Sequence, residues 1–425
     1  MHKMFFEKLE SNVRSYCRNF TDLFDKAKGS LIYSEDGKEF VDFFSGAGAL
    51  NYGHNNEYIK EKILTYIQSD RIMHGLDFYT VAKRDFIKNF DEKILQSKKL
   101  NYKFQFCGTT GTNAVEAAIK LARKVKKRSG LFSFTGAFHG MTLGSLSLTG
   151  NKESREGAGI SLNSNVSFFP YCYNDLYHFD SLEYMETILE DTHSGVEKPA
   201  AVICETVQAE GGIIVAPVEW LQRLKRLCEK HDILFICDDI QVGCGRAGNF
   251  FSFERAGIVP DIVILSKSIS GYGLPMSLLL FKPEFDVWMP AEHNGTFRGN
   301  QLAFIGASAA LDYWESVNLE KQVKEKMLFI SDYIKNEILP INNKLKMRGI
   351  GMIWGIEFSS IANFKDILKK ITATGYSNGL IFERAGRNDS VVKIMPPLNI
   401  EIDLLEKGLK ILKNAVKSVL ASEYN

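Results

Sequence analysis

Lys267 stands in Ser266-Lys267-Ser268, directly after the apolar run Ile262 to Leu265 and before the loop Gly271-Tyr-Gly-Leu-Pro275. A lysine partly removed from water at a strand end has a depressed pKa, and its free amine can attack an aldehyde. The plain alternative is a solvated surface lysine. Asp238 opens Asp238-Asp239-Ile240-Gln241 after a second apolar run, Ile233 to Cys237. A carboxylate at that edge is costly without a cationic partner, which leaves a protonated ring nitrogen, a structural salt bridge or a metal. Gly108-Thr-Thr-Gly111-Thr112 follows a third run, Tyr102 to Phe106, and opens a helical pattern. Small residues and the free N–H groups of a helix start suit a phosphate, although an ordinary helix cap has the same composition. After a fourth run, Leu131 to Phe134, comes Thr135-Gly-Ala-Phe138-His139-Gly140, which offers an aromatic ring for stacking. Core packing would equally explain Phe138, and a hydrogen-bonded neighbour would explain His139.

The elements behind these residues have one logic. Together with Ala201 to Cys204, the apolar runs read as short buried strands, and amphipathic stretches lie between several of them. In the clearest stretch Ala114, Ala117, Ala118, Leu121, Ala122 and Val125 share one helical face, with Lys120, Arg123 and Lys124 elsewhere. Strands alternating with helices predict an α/β unit with a mostly parallel sheet sandwiched by helices, whose ligands bind beyond the carboxyl ends of the strands. A phosphate cradle, a carboxylate for a ring nitrogen and an amine nucleophile then occupy three ends of one sheet. That combination is what pyridoxal 5'-phosphate requires.

Both chain ends read differently. Leu31-Ile-Tyr and Glu39-Phe-Val-Asp-Phe flank the turn signal Glu35-Asp-Gly37 as a hairpin. Beyond about residue 300 long helices give way to short strands around Gly355 to Phe358 and Val391 to Ile394, a smaller α+β unit. The expected division is an N-terminal segment, 1–65, belonging to the small domain; a large cofactor-binding domain, 66–320; and a C-terminal small domain, 321–425.

Lys plus Arg number 52 against 51 for Asp plus Glu, so no long-range field favours nucleic acid or an anionic membrane. No signal-peptide core and no apolar run of membrane-spanning length is visible, and a cytoplasmic protein with small-molecule partners is expected. Seven cysteines include no C-x-x-C pair and the eight histidines no metal-ligand cluster, so reduced thiols and no metal are expected. Gly243-Cys-Gly245-Arg-Ala-Gly248 matches the dinucleotide pattern G-x-G-x-x-G and admits a nicotinamide dehydrogenase. Against this, Asp-Asp-Ile-Gln-Val separates it from the strand, and Asn249-Phe-Phe-Ser-Phe-Glu opens no helix for a pyrophosphate.

The stretch Asp238-Asp-Ile-Gln-Val-Gly-Cys-Gly-Arg246, through Pro260-Asp-Ile to Ser266-Lys267, resembles the signature of class III aminotransferases of the fold-type-I pyridoxal-phosphate enzymes. Glu205-Thr-Val-Gln-Ala-Glu210-Gly-Gly212, Gly111-Thr-Asn-Ala-Val-Glu-Ala-Ala118 and Gly295-Thr-Phe-Arg-Gly-Asn300 resemble further blocks of that class, so the likeness covers most of the chain. It implies that Lys267 bonds covalently to the cofactor aldehyde and Asp238 pairs with the ring nitrogen. Ile240 and Phe138 would sandwich the ring, Gln241 would approach its hydroxyl, and Gly111 and Thr112 would hold the phosphate. His139 and Glu205 fall in the same cofactor-binding blocks. Thr296 would reach the phosphate of the neighbouring subunit, which implies a homodimer with shared active sites.

Within the class, Gly46-Ala-Gly-Ala-Leu-Asn-Tyr-Gly-His54, Phe138-His-Gly-Met-Thr-Leu143 and Glu292-His-Asn-Gly-Thr-Phe-Arg-Gly-Asn300 are most similar to enzymes that exchange the 4-amino group of L-2,4-diaminobutyrate with 2-oxoglutarate. Ornithine-type, acetylornithine-type and 4-aminobutyrate-type relatives are the alternatives inside the class. A mutase, a racemase or a non-catalytic sensor would share the same fold. Ornithine-type relatives place arginines where Met141 and Lys393 stand. Lysine lacks the bidentate fork, so Lys393 is expected to bind a substrate carboxylate differently, and to pair with Glu210 when that carboxylate is absent.

Overall fold

The computed structural model describes residues 2–162, 165–173 and 176–423. Near the N-terminus three antiparallel strands, β1 (Phe24–Lys28), β2 (Leu31–Ser34) and β3 (Glu39–Asp42), form a meander, with the expected Asp-Gly turn joining β2 to β3. The central sheet is built from β4 (Lys103–Phe106), β5 (Leu131–Phe134), β6 (Val166–Phe169), β7 (Ala201–Cys204), β8 (Leu234–Asp238), β9 (Ile262–Leu265) and β10 (Leu278–Phe281). Its order is β4-β10-β9-β8-β7-β5-β6, and only β10 runs antiparallel to its neighbours.

Side-chain alternation explains why such continuous apolar runs are needed. Phe132, Val202, Cys204, Phe235, Cys237, Val263 and Leu265 belong to the core on one face. Leu131, Ile203, Leu234, Ile236, Ile262 and Ile264 belong to the core on the other, where they meet the alanine-rich face of the helix Gly111–Lys126. The strands β6 and β10 were not anticipated. Leu278-Leu-Leu-Phe281 is too short and too uniformly apolar for periodicity to assign, and it closes a hairpin with β9 around Lys267.

A second sheet has the order β11 (Lys346–Ile350), β12 (Ile353–Glu357), β15 (Val391–Ile394), β14 (Glu383–Ala385), all antiparallel. The short strand β13 (Leu380–Ile381) instead pairs in parallel with β3, tying the two ends of the chain together. Phe43 N–H donates to Ile381 O at 2.8 Å, and Met395 N–H to Phe43 O at 2.9 Å. The C-terminal helix Ile402–Glu423 covers this junction so closely that a Cβ at Gly408 would lie 2.3 Å from the Phe43 ring. Among the described residues no helix is long and apolar enough to cross a membrane.

Candidate active site

Five strand ends of the central sheet open on one edge and carry most of the residues singled out from the sequence. Asp238 is the last residue of β8, not the first beyond it, and is 4% exposed. Its Oδ2 lies 2.6 Å from His139 Nδ1, and its Oδ1 accepts the Ile240 N–H at 3.1 Å. Within the chain, then, the partner of Asp238 is the imidazole of His139, which lies in the loop after β5. Burial opposes charge on that ring, but the hydrogen bond and charge of Asp238, with Glu205 behind them, raise its pKa. His139 Nε2 is buried with no hydrogen-bond partner.

Glu205, directly after β7, accepts the Phe138 N–H at 2.9 Å and the Ala209 N–H at 3.4 Å. Burial pushes its carboxyl up to about 7, with His139 pulling down and Asp238 pushing up. Both sides of the Phe138-His139 pair are therefore held by buried acids.

Lys267 follows β9 with φ +51, an uncommon left-handed conformation for a lysine that the flanking serines secure. Ser266 Oγ donates to Met276 O at 2.8 Å and Ser268 Oγ to Gly48 O at 2.6 Å. Burial pushes the Lys267 ammonium down to about 8; Glu210 pulls it up, Lys393 pushes it down, and Glu383 and Asp238 pull it up. Near neutral pH a usable fraction of free amine follows.

Gly111 begins its helix against Ile240, and a Cβ there would lie 2.8 Å from Ile240 Cδ1, so any other residue would displace that side chain. Thr112 Oγ1 bonds Thr142 Oγ1 at 2.8 Å and Ser145 Oγ at 2.5 Å, which fixes its hydroxyl beside the helix start. Thr296 is exposed in the loop before the helix Gln301–Ser316 and is not brought to the other candidates within this chain. The ion pair of Lys124 with Glu292 at 2.5 Å anchors that loop.

Across from the strand ends, on β15, Lys393 is wholly buried. Its Nζ lies 2.5 Å from Glu210 Oε1, 3.1 Å from Glu383 Oε2 and 3.2 Å from Gln241 Oε1. Gln241 uses its other end to donate to Ala47 O at 2.9 Å, so both ends of its amide are engaged. The two carboxylates outweigh burial and raise the Lys393 pKa. Sequence reasoning missed Glu383. Its strand has three residues, and only the pairing of Glu383 with Lys393 in the β14–β15 register places it here.

The dinucleotide-like glycines occupy turns with no following α-helix. A Cβ at Gly245 would lie 2.1 Å from the Trp314 ring, and Arg246 is buried, donating to Met352 O at 3.0 Å and Asn51 Oδ1 at 2.7 Å. The motif is packing. Among the described residues one group, Glu186, Glu190 and His231, brings potential metal ligands within 4.8 Å. The Lys230 ammonium already bonds both of its carboxylates, at 2.7 and 2.6 Å.

The class-III aminotransferase family profile matches residues 15–416, and the chain belongs to that family. It is accordingly a pyridoxal 5'-phosphate enzyme that moves an amino group from a donor to a 2-oxo acid. Among its relatives, the diaminobutyrate–2-oxoglutarate transaminase of Halalkalibacterium halodurans is 52% identical, covering 98% of this chain and 97% of that protein. The transaminase of the same name from Streptomyces coelicolor is 50% identical over 97% of both chains. Ornithine aminotransferase from Toxoplasma gondii superposes with a TM-score of 0.86 at 22% identity, covering 100% of this chain and 96% of that one. A Bacillus anthracis aminotransferase gives 0.87 at 24%, covering 98% of each. These likenesses establish the fold-type-I architecture.

Proposed function

We propose that this enzyme moves the 4-amino group of L-2,4-diaminobutyrate to 2-oxoglutarate, giving L-aspartate 4-semialdehyde and L-glutamate, in either direction. The observation that carries the reading is the link made by Gln241, three residues beyond Asp238, whose Oε1 lies 3.2 Å from Lys393 Nζ and joins the strand-end site to the Lys393–Glu210–Glu383 cluster. A reacting amine held at Lys267 would leave the far end of a short diamine at that cluster. The names of the relatives that match nearly the whole chain support the same substrates.

The residues fit pyridoxal phosphate. Gly111 leaves room for no Cβ at a helix start, Asp238 presents a buried carboxylate, and Lys267 carries a weakened proton. When bound, the cofactor supplies an aldehyde for the amino group and a ring that accepts electron density. Lys267 Nζ would anchor that aldehyde and then move the proton between substrate and cofactor. Asp238, oriented by His139, would hold a proton at the ring nitrogen. Phe138 and Ile240 would cover the two faces of the ring, Glu205 fixes the backbone of Phe138, and Gln241 would approach the ring hydroxyl. Gly111 and Thr112 would receive the phosphate, with Thr296 of a second copy completing it in a homodimer. For 2-oxoglutarate, which brings two carboxylates and no ammonium, Lys393 would meet a substrate carboxylate once Glu210 turns away. Residues 66–320 would form the cofactor-binding unit, with 1–65 and 321–425 building the small one. Seven free thiols, among them buried Cys107, Cys204, Cys228, Cys237 and Cys244, support a reducing, cytoplasmic setting.

Stoichiometric formation of glutamate from L-2,4-diaminobutyrate and 2-oxoglutarate tests the reading. Equal or faster turnover of ornithine or 4-aminobutyrate would overturn it.

A further inference from the structure

The Lys393 cluster is open to solvent through its acids and not through its lysine. The lysine side chain is 0% exposed, whereas that of Glu210 is 30% and that of Glu383 17% exposed. What an incoming molecule can touch is therefore a pair of carboxylates, with the ammonium beneath them. Three acceptors hold that ammonium, and the register of β14 against β15 puts Glu383 directly across from it. Glu210 is fixed through its backbone, since the Gly386 N–H donates to Glu210 O at 2.9 Å. The two carboxylates share one ammonium and keep oxygen lone pairs free on their open sides, where a second ammonium would find acceptors. Lys267, Gln241 and Tyr16 also face the cluster, and the charges of Glu383 and Glu210 reach both Lys267 and the Tyr16 hydroxyl.

We infer that Glu383, together with Glu210, is the receptor for the ammonium at the distal end of the amino donor, and that buried Lys393 is the counter-charge holding the two carboxylates together. This rests on the diaminobutyrate reading and sharpens it, because it names what distinguishes that donor from a monoamine. L-2,4-Diaminobutyrate and 4-aminobutyrate share the reacting amine and the far carboxylate; only the first carries the second ammonium. Glu383 was absent from every sequence-based expectation. Its role sets specificity by contact with the substrate, without taking part in proton transfer.

The test compares kcat/KM for the two donors, with 2-oxoglutarate as acceptor, in the wild-type holoenzyme and in Glu383→Gln. Wild type is expected to prefer diaminobutyrate by about 30-fold or more, the scale of a desolvated charge pair. Glu383→Gln is expected to cut that preference about tenfold while leaving the constant for 4-aminobutyrate within roughly threefold. Glu383→Asp, which keeps the charge, is expected to recover most of the preference. An unchanged ratio in Glu383→Gln, or an equal loss for both donors, would overturn the inference in favour of a structural role. If Glu383→Gln does not fold, the wild-type ratio alone decides, since absence of preference removes the receptor. Failure of wild type to make glutamate from either donor would instead count against the diaminobutyrate reading itself.

Discussion

Two places in this molecule set one basic side chain between acids, and they differ in what reaches them. At the sheet edge His139 lies against Asp238 with Glu205 behind, and all three are buried. On β15 Lys393 lies between Glu210 and Glu383, with the lysine sealed and the acids partly open. The first arrangement suits a partner that stays: a carboxylate aimed at one fixed cation, with its imidazole neighbour locking the geometry. The second suits partners that come and go, because its open members are long, single-bonded side chains over a fixed charge. Depth therefore distinguishes the two groups, although each sets one basic side chain beside two acids.

Breaking the sealed group should cost most. Asp238→Asn is expected to lower kcat by about 1000-fold, the scale of losing a preorganised electrostatic contact in a dry site, with KM for the donor changing far less. A fall of similar size in Glu210→Gln would erase the distinction between the two groups. Next comes Lys393→Met, which leaves two acids facing each other; urea unfolding is expected to show a loss of about 3 kcal/mol that shrinks in acid as Glu383 takes up a proton. The smallest effect is a pH slope. In the fold the Glu205 carboxyl is pushed up to about 7 from 4.5, so its contribution to stability is fully present below about pH 4.5 and is lost as pH rises through about 7. Glu205→Gln should remove most of that decline, seen as a flatter stability curve between those pH values.

The sealed group was legible from sequence and the open one only in half. Asp238 and Lys267 follow uninterrupted apolar runs and His139 lies in the loop after Leu131–Phe134, and buried parallel strands present the residues beyond them at one edge, so spacing along the chain was enough. What spacing could not show was that His139 and Asp238, 99 residues apart, touch; that depends on β5, β7 and β8 being neighbours. Lys393 was visible as a departure from a family pattern, and Glu210 through a block that matches it. Glu383 was not, because a three-residue strand has no period and its meaning comes from cross-strand register alone. The same limit hid β10, whose four apolar residues fit a strand or a buried turn of helix equally well.

The claim under all of this is that Lys267 carries the cofactor. Borohydride reduction of the holoenzyme, followed by proteolysis and peptide mapping, reads it directly. A pyridoxyl group is expected on the peptide containing Ser266-Lys267-Ser268 and nowhere else. Labelling at another lysine, or at none, would contradict it.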